Sequence, residues 1–238
     1  MGLGSRRGIE EWIKEGRIQI NGKTAQLGDR MSLTDQVLLD GEPVRMTRDK
    51  QKTRVIIYHK PEGEICTASD PEGRRSVFES LPPLDSGRWI SVGRLDFNTS
   101  GLLLFTNDGD LAHQLMHPSG HMPREYAVRI LGNVTQEMVK NLTHGVELED
   151  GKARFEDIVE SGGTGSNSWF HVVVMQGRNR IVRRLWESQG VRVSRLQRVR
   201  FGPIFLERSL RQGNCKDLTD GQINRLRNES SPDQGQDD

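Results

Sequence analysis

The run Ser91–Leu111, SVGRLDFNTSGLLLFTNDGDL, sets a cation and an acid two residues apart, Arg94 and Asp96, directly ahead of an apolar block. An ionised carboxylate is a small nucleophile and can stabilise a developing positive charge. The block from Leu102 to Phe105 reads as a short buried strand, bounded by Thr99-Ser100-Gly101 on one side and Asn107-Asp108-Gly109 on the other. Asp96 therefore belongs to a loop that feeds a buried strand. Such an acid is either a solvated or capping group, or a carboxylate that a rigid element presents to a cleft.

A second concentration of chemistry lies further along. Between Gly177 and Arg200 stand Arg178, Arg180, Arg183, Arg184, Arg192, Arg195, Arg198 and Arg200, against the single acid Glu187. All are Arg and none is Lys, which favours planar, bidentate recognition of phosphate or carboxylate over a merely solvated face. Nucleic acid is the partner this segment points to. The formal net charge of +1 conceals it, because the last eleven residues, NESSPDQGQDD, hold acids and no bases, while residues 1–227 carry 34 basic against 29 acidic groups.

Other constellations carry less. His113, His117 and His121 are spaced by four, but Pro118 and Gly120 break the helix that would align them, and no acid or thiol completes a metal site. Ser161–Ser166 is glycine-rich without the Lys-Ser/Thr ending of a phosphate loop, and reads as a hairpin loop. Cys66 and Cys215 form no CxxC pair, and no apolar run approaches a membrane span. With 33% hydrophobic and 28% charged residues and no secretory signal, the expectation is a cytoplasmic protein of one or two domains, without metal or nucleotide cofactor.

The elements that must position these groups follow from the pattern. At the amino end Ser5 can cap a helix with Ile9, Trp12 and Ile13 on its apolar face, ended by Gly16. Arg17–Ile20 alternates, and Asn21-Gly22 supplies a type I′ turn. Arg6, Arg7, Lys14, Arg17 and Lys23 border this small module. Residues 47–53 read as a charged linker and 228–238 as a disordered acidic tail. In between, Val55–Tyr58 reads as a strand, 59–63 as a turn and 65–67 as a possible strand continuation. Tyr126–Leu131 and Trp169–Met175 are further strands; 110–116, 136–142 and 182–189 are helical, the last with Val182, Leu185 and Trp186 on one face. No βαβ rhythm appears, so the fold class is mixed α+β with a largely antiparallel sheet.

Residues 2–46 resemble the S4 RNA-binding domain, in which basic side chains of a helix pair and a hairpin meet folded RNA. That module ordinarily has another helix ahead of the Gly4-Ser5-Arg6-Arg7 step, so the resemblance implies an S4-like domain over 1–46 with its first helix missing. Residues 54–227 resemble the group of ribosomal pseudouridine synthases that comprises the small-subunit enzyme A and the large-subunit enzymes B, E and F. The motifs that carry this are Gly93–Asp96, Thr99–Leu103, Asn107–Gly109, Arg124-Glu125-Tyr126 and Gly177–Arg184, together with YHKPEG at 58–63, RRLWE at 183–187 and VSRLQRVRFG at 193–202.

The resemblance implies that Asp96 starts cleavage of the bond between uracil N1 and ribose, after which the base turns and rejoins through C5, without a cofactor. Covalent attack on the sugar, attack on the base, and a glycal route all stay open. It further implies that Arg183 is the cationic partner of Asp96, with Arg184 as a neighbouring alternative. Tyr126 would stack on the target uracil, Val182, with Leu185 as a near alternative, would supply the opposite apolar wall, and Arg94 would enter the RNA to hold the base out or else contact phosphate. Arg178, Arg180 and Arg184, with Arg6, Arg7 and Lys14, would bind RNA. The expected substrate is large-subunit ribosomal RNA, naked or in an assembly intermediate, and the enzyme is expected to be a monomer. Small-subunit rRNA or tRNA is the alternative substrate, and a non-catalytic ribosome-assembly factor the alternative class.

Overall fold

A computed structural model describes residues 6–32, 34–44, 52–68, 70–164 and 167–230. Two compact units result: Met1–Lys52 with Leu84–Arg88, and Thr53–Pro83 with Trp89–Asp238. Segment 84–88 thus goes with the first unit, although it sits inside the sequence span expected for the second domain.

In the first unit α1 (Arg6–Lys14) precedes β1 (Ile18–Ile20), β2 (Lys23–Thr24), β3 (Val37–Leu39) and β4 (Glu42–Pro43), which form a sheet in the order β2-β1-β3-β4. Positive φ at both Asn21 and Gly22 gives the type I′ turn that joins β1 to β2. Ile9, Trp12 and Ile13 pack on buried Ile18, Ala25 and Val37, as the helical spacing requires. The expected Ser5 cap and most of the 47–53 linker lie outside the described residues.

The second unit is built on β5 (Val55–Lys60), β6 (Ile90–Val92), β7 (Ser100–Thr106), α2 (Gly109–Met116), β8 (Arg124–Leu131) and α3 (Gln136–His144). It continues through β9 (Val146–Leu148), β10 (Gly151–Ala153), β11 (Asp157–Thr164), β12 (Asn167–Val174), α4 (Ile181–Glu187), β13 (Arg192–Phe201), β14 (Ile204–Phe205), β15 (Cys215–Asp217) and α5 (Asp220–Ser230). The main sheet runs β11-β12-β8-β13-β7-β5-β15, with β14 on β13 and β6 on β7. Every pairing in it is antiparallel except β7 with β13.

Alternation along the central strands explains why they read as continuous apolar runs. Ile56, Tyr58, Leu103 and Phe105 enter one core with α4 residues Leu185 and Trp186, whereas Val55, Ile57, Leu102 and Leu104 enter another with Leu111, Leu115, Ile223 and Leu226 of α2 and α5. A strand covered on both faces buries both sets of its side chains.

Several expectations need correction. His59 and Lys60 are strand, not turn, because β5 pairs with β7 as far as Lys60. Residues 65–67 contribute only an isolated bridge from Ile65 to Ser76. The glycine-rich stretch is not all loop: β11 runs through Gly162 and Gly163, with a register shift between Glu160 and Gly162 that absorbs the extra residue. The acidic end is not wholly outside the fold either, since α5 extends to Ser230, whose side chain is buried.

Candidate active site

Sheet register delivers the site. Reading across the strands, Tyr126 of β8 pairs with Arg198 of β13, Arg198 with Gly101 of β7, and Gly101 with Lys60 of β5. The row is closely packed at Gly101, where a Cβ would fall 2.3 Å from the carbonyl oxygen of Arg198 and φ is +112°. Only glycine fits such an approach.

Asp96 lies just ahead of β7 in a turn closed by the Thr99 amide, which donates to the Asp96 carbonyl at 3.0 Å. Each carbonyl of this turn is held from elsewhere. Lys60 Nζ donates to the carbonyls of Asp96 (3.1 Å) and Thr99 (2.9 Å), the Gly63 amide to that of Phe97 (2.8 Å), and Arg183 to that of Asn98 (2.8 Å). Cys66 Sγ, meanwhile, lies 3.3–3.4 Å from both backbone polar atoms of Leu95. The carboxylate is thereby presented on a rigid backbone with its own side chain 30% exposed.

A cleft of about 1800 Å³ opens over this turn, and Arg94, Asp96, Tyr126, Arg178, Arg180 and Val182 all line it. Arg183 and Arg184 do not. Arg183 is buried behind the turn, donating to Asn98 and to the carbonyl of Val193 at 3.1 Å, and its Nε has no hydrogen-bond partner among the described residues. Burial lowers its pKa, Arg180 adds to that, and Asp96 opposes it. Asp96 forms an ion pair with Arg180, at 3.9 Å. Arg180 itself is left-handed at φ 48°, at the start of α4.

The arginine segment divides by use. Arg178 donates to the carbonyls of Asp150, Gly151 and Lys152, and Arg184 pairs with the Asp150 carboxylate at 2.8 Å. Arg198 is buried and donates to Leu102, while Arg200 pairs with Glu125 at 2.8 Å. Arg192 and Arg195 are exposed, as are Arg94 and Arg180. In the first unit Arg7 and Lys14 are exposed on α1, and Arg6 begins that helix.

Sequence reasoning missed the groups behind the carboxylate. Lys60 is fully buried, its pKa lowered by that burial against the opposing influence of Cys66, Glu64 and Asp96. Its signal was a lysine ending a run of apolar residues, which means little until the strand is known to be covered on both faces. Thr99 Oγ1 and a terminal nitrogen of Arg198, both on cleft-lining residues, are buried without a hydrogen-bond partner among the described residues. Buried polar atoms left unpaired are costly, so they mark places where a polar ligand gains most.

Residues 54–188, more than half of the chain, match the RNA pseudouridylate synthase family. The chain belongs to that family. Residues 1–37 match the S4 domain. The chain is 56% identical over 231 residues to the Pseudomonas aeruginosa protein named Ribosomal large subunit pseudouridine synthase B, covering 96% of this chain and 60% of that one. It is 56% identical over 228 residues to the Vibrio cholerae protein of the same name, covering 95% of this chain and 71% of that one. The pseudouridylate synthase fold is seen as well in a solved structure described as a crystal structure of pseudouridylate synthase, with a TM-score of 0.67, 24% identity, and 93% and 94% of the two chains covered. The sequence resemblance named the same family and the same S4 module.

Proposed function

We propose that this pseudouridylate synthase isomerises a uridine of large-subunit ribosomal RNA to pseudouridine, acting as a cytoplasmic monomer and without a cofactor. The observation that carries the reading is the placement of Asp96, half-exposed on a clamped turn, in one cleft with Tyr126 and Val182. A uridine extruded from its stack would have its base between Tyr126 and Val182 and its sugar toward Asp96. The glycosidic N1–C1′ bond breaks, the base turns, and C5 bonds to C1′. The proton lost from C5 is balanced by one gained at N1, so no oxidant or donor is needed. The negative charge of Asp96 stabilises the sugar as the bond breaks. Arg183 acts from behind the turn, fixing it through Asn98, while Arg94, Arg180 and the exposed cations of α1 meet phosphate. Such contacts make affinity fall steeply with salt.

Carbodiimide mapping of pseudouridines in a deletion strain, complemented with wild type or Asp96→Asn, tests the reading. We expect one large-subunit pseudouridine to vanish on deletion and return only with wild type. Restoration by Asp96→Asn would overturn the catalytic role. Loss of a small-subunit or tRNA pseudouridine instead would reassign the substrate, and no loss at all would favour an assembly factor.

A further inference from the structure

Phe97 is the residue after Asp96, lines the same cleft, and is 49% exposed. Among the described residues its ring lacks the cationic neighbour that the rings of Trp12, Trp89 and Phe205 have. A guanidinium covers Trp12 (Arg17, 5.5 Å), Trp89 (Arg54, 5.3 Å) and Phe205 (Arg200, 5.6 Å), whereas among the described residues no cation or ring packs on Phe97. This is so in a cleft that Arg94, Arg178 and Arg180 also line. Nor is the ring on a floppy loop. With Asn98 it takes a central position of the turn closed from Thr99 to Asp96, and its own carbonyl is bonded by the Gly63 amide. Side chains at the central positions of a turn project away from it, and a clamped backbone leaves little more than two χ angles to be ordered on binding.

We infer that Phe97 is a stacking platform for the nucleobase next to the extruded uridine. The inference rests on the proposed reaction and adds a second base-binding surface to it. When a base leaves the helix, its neighbour loses a stacking partner; an accessible aromatic ring beside the reacting centre replaces that face. Because every base has a π-face, the platform tolerates sequence and acts on affinity. Arg94, from the other side of Asp96, remains free to contact phosphate or fill the vacated place.

The test uses the full chain and a large-subunit rRNA stem-loop that contains the candidate target uridine, with 2-aminopurine placed in turn on each side of that uridine. Wild type and Phe97→Trp should change the fluorescence of one flanking position on binding, whereas Phe97→Leu, which keeps the apolar bulk, should not. Phe97→Ala should weaken binding by about 5- to 150-fold, the range for loss of one base–aromatic stack. At saturating RNA the single-turnover rate should stay near that of wild type, and an unchanged melting temperature would exclude a folding defect. An abasic nucleotide at the responding position should cost wild type as much as Phe97→Ala does, and cost Phe97→Ala nothing more. Equal affinity and fluorescence in wild type, Phe97→Leu and Phe97→Ala would overturn the platform. A wild-type signal at a flanking base without any pseudouridine formed would instead overturn the proposed reaction, and leave the platform standing.

Discussion

The ammonium of Lys60 reaches past its own strand to the carbonyl of Asp96, 3.1 Å away, and in the same position holds that of Thr99 at 2.9 Å. A fully buried cation thus ties together both ends of the turn that carries the carboxylate. Lys60→Met keeps the length and removes the donors. It should lower stability by about 2–4 kcal/mol, since buried carbonyls lose their partner. It should also lower the single-turnover rate by on the order of 10²-fold, because a small displacement of a reacting group is costly. Denaturant midpoints and rates measured where both proteins are folded separate the two effects; a wild-type rate would show that the turn holds without Lys60.

Arg183 and Arg184 are neighbours with different expected costs. Arg183→Met removes a buried guanidinium bonded to Asn98 and Val193 and should cost about 3 kcal/mol along with most of the activity. Arg184→Met loses a half-exposed pair with Asp150 and should cost under about 1 kcal/mol. Arg183→Lys, which keeps charge but not the forked geometry, should be intermediate in stability. Thermal unfolding and single-turnover yield for each variant check this; equal losses at the two positions would remove the distinction.

Gly101→Ala would put a methyl group 2.3 Å from the Arg198 carbonyl, at a φ of +112° that alanine avoids. Neither obstacle lies in a flexible side chain. The expected outcome is a loss of about 3 kcal/mol or more, seen as a lowered denaturant midpoint or as insoluble protein. Near-wild-type stability would mean that β7 and β13 can separate without harm.

Asp108 caps α2 through the amides of Asp110 and Leu111 and also accepts from Thr53 and Arg227. Desolvation opposes ionisation, but the Leu111 amide, Thr53, Arg227 and the Asp110 amide outweigh it and hold the carboxyl below its ordinary pKa. A folded pKa below that of the unfolded chain means stability that is present above about pH 4 and is lost as pH falls through the folded value. Asp108→Asn, which can still cap, should therefore flatten the acid side of a plot of melting temperature against pH. Asp108→Ala should in addition lower stability near pH 7 by about 1 kcal/mol. An acid limb as steep in Asp108→Asn as in wild type would assign the acid sensitivity to other groups.

Local rules reached some parts of this protein and not others. The turn at Asn21-Gly22, the buried strand after Gly101 and the helix carrying Val182, Leu185 and Trp186 were legible because spacing and turn chemistry act over a few residues. His59 and Lys60 were not, because a strand end is fixed by its partner β7 and not by its own composition. Nor could a charge count tell which arginines face water. Arg198 and Arg183 are buried, and Arg178 and Arg184 are tied to the Asp150 region, through contacts between segments distant in sequence. The motifs brought Asp96, Tyr126, Arg180 and Val182 into view together, and the cleft they line needed the register of four strands.

That register has a temporal side. The parallel contact of β7 with β13 joins Ser100 to Gln197 and Gly101 to Arg198, two halves of the unit that are synthesised far apart. Pairing so remote in sequence forms slowly, since a long loop must close before any contact rewards it. A nascent chain ending before Arg192 would already contain Asp96, Tyr126 and Arg183 yet lack the strand between β8 and β7. The row of paired residues that carries Tyr126, Arg198 and Gly101 is therefore complete only in a chain long enough to include β13, which lies between β8 and β7.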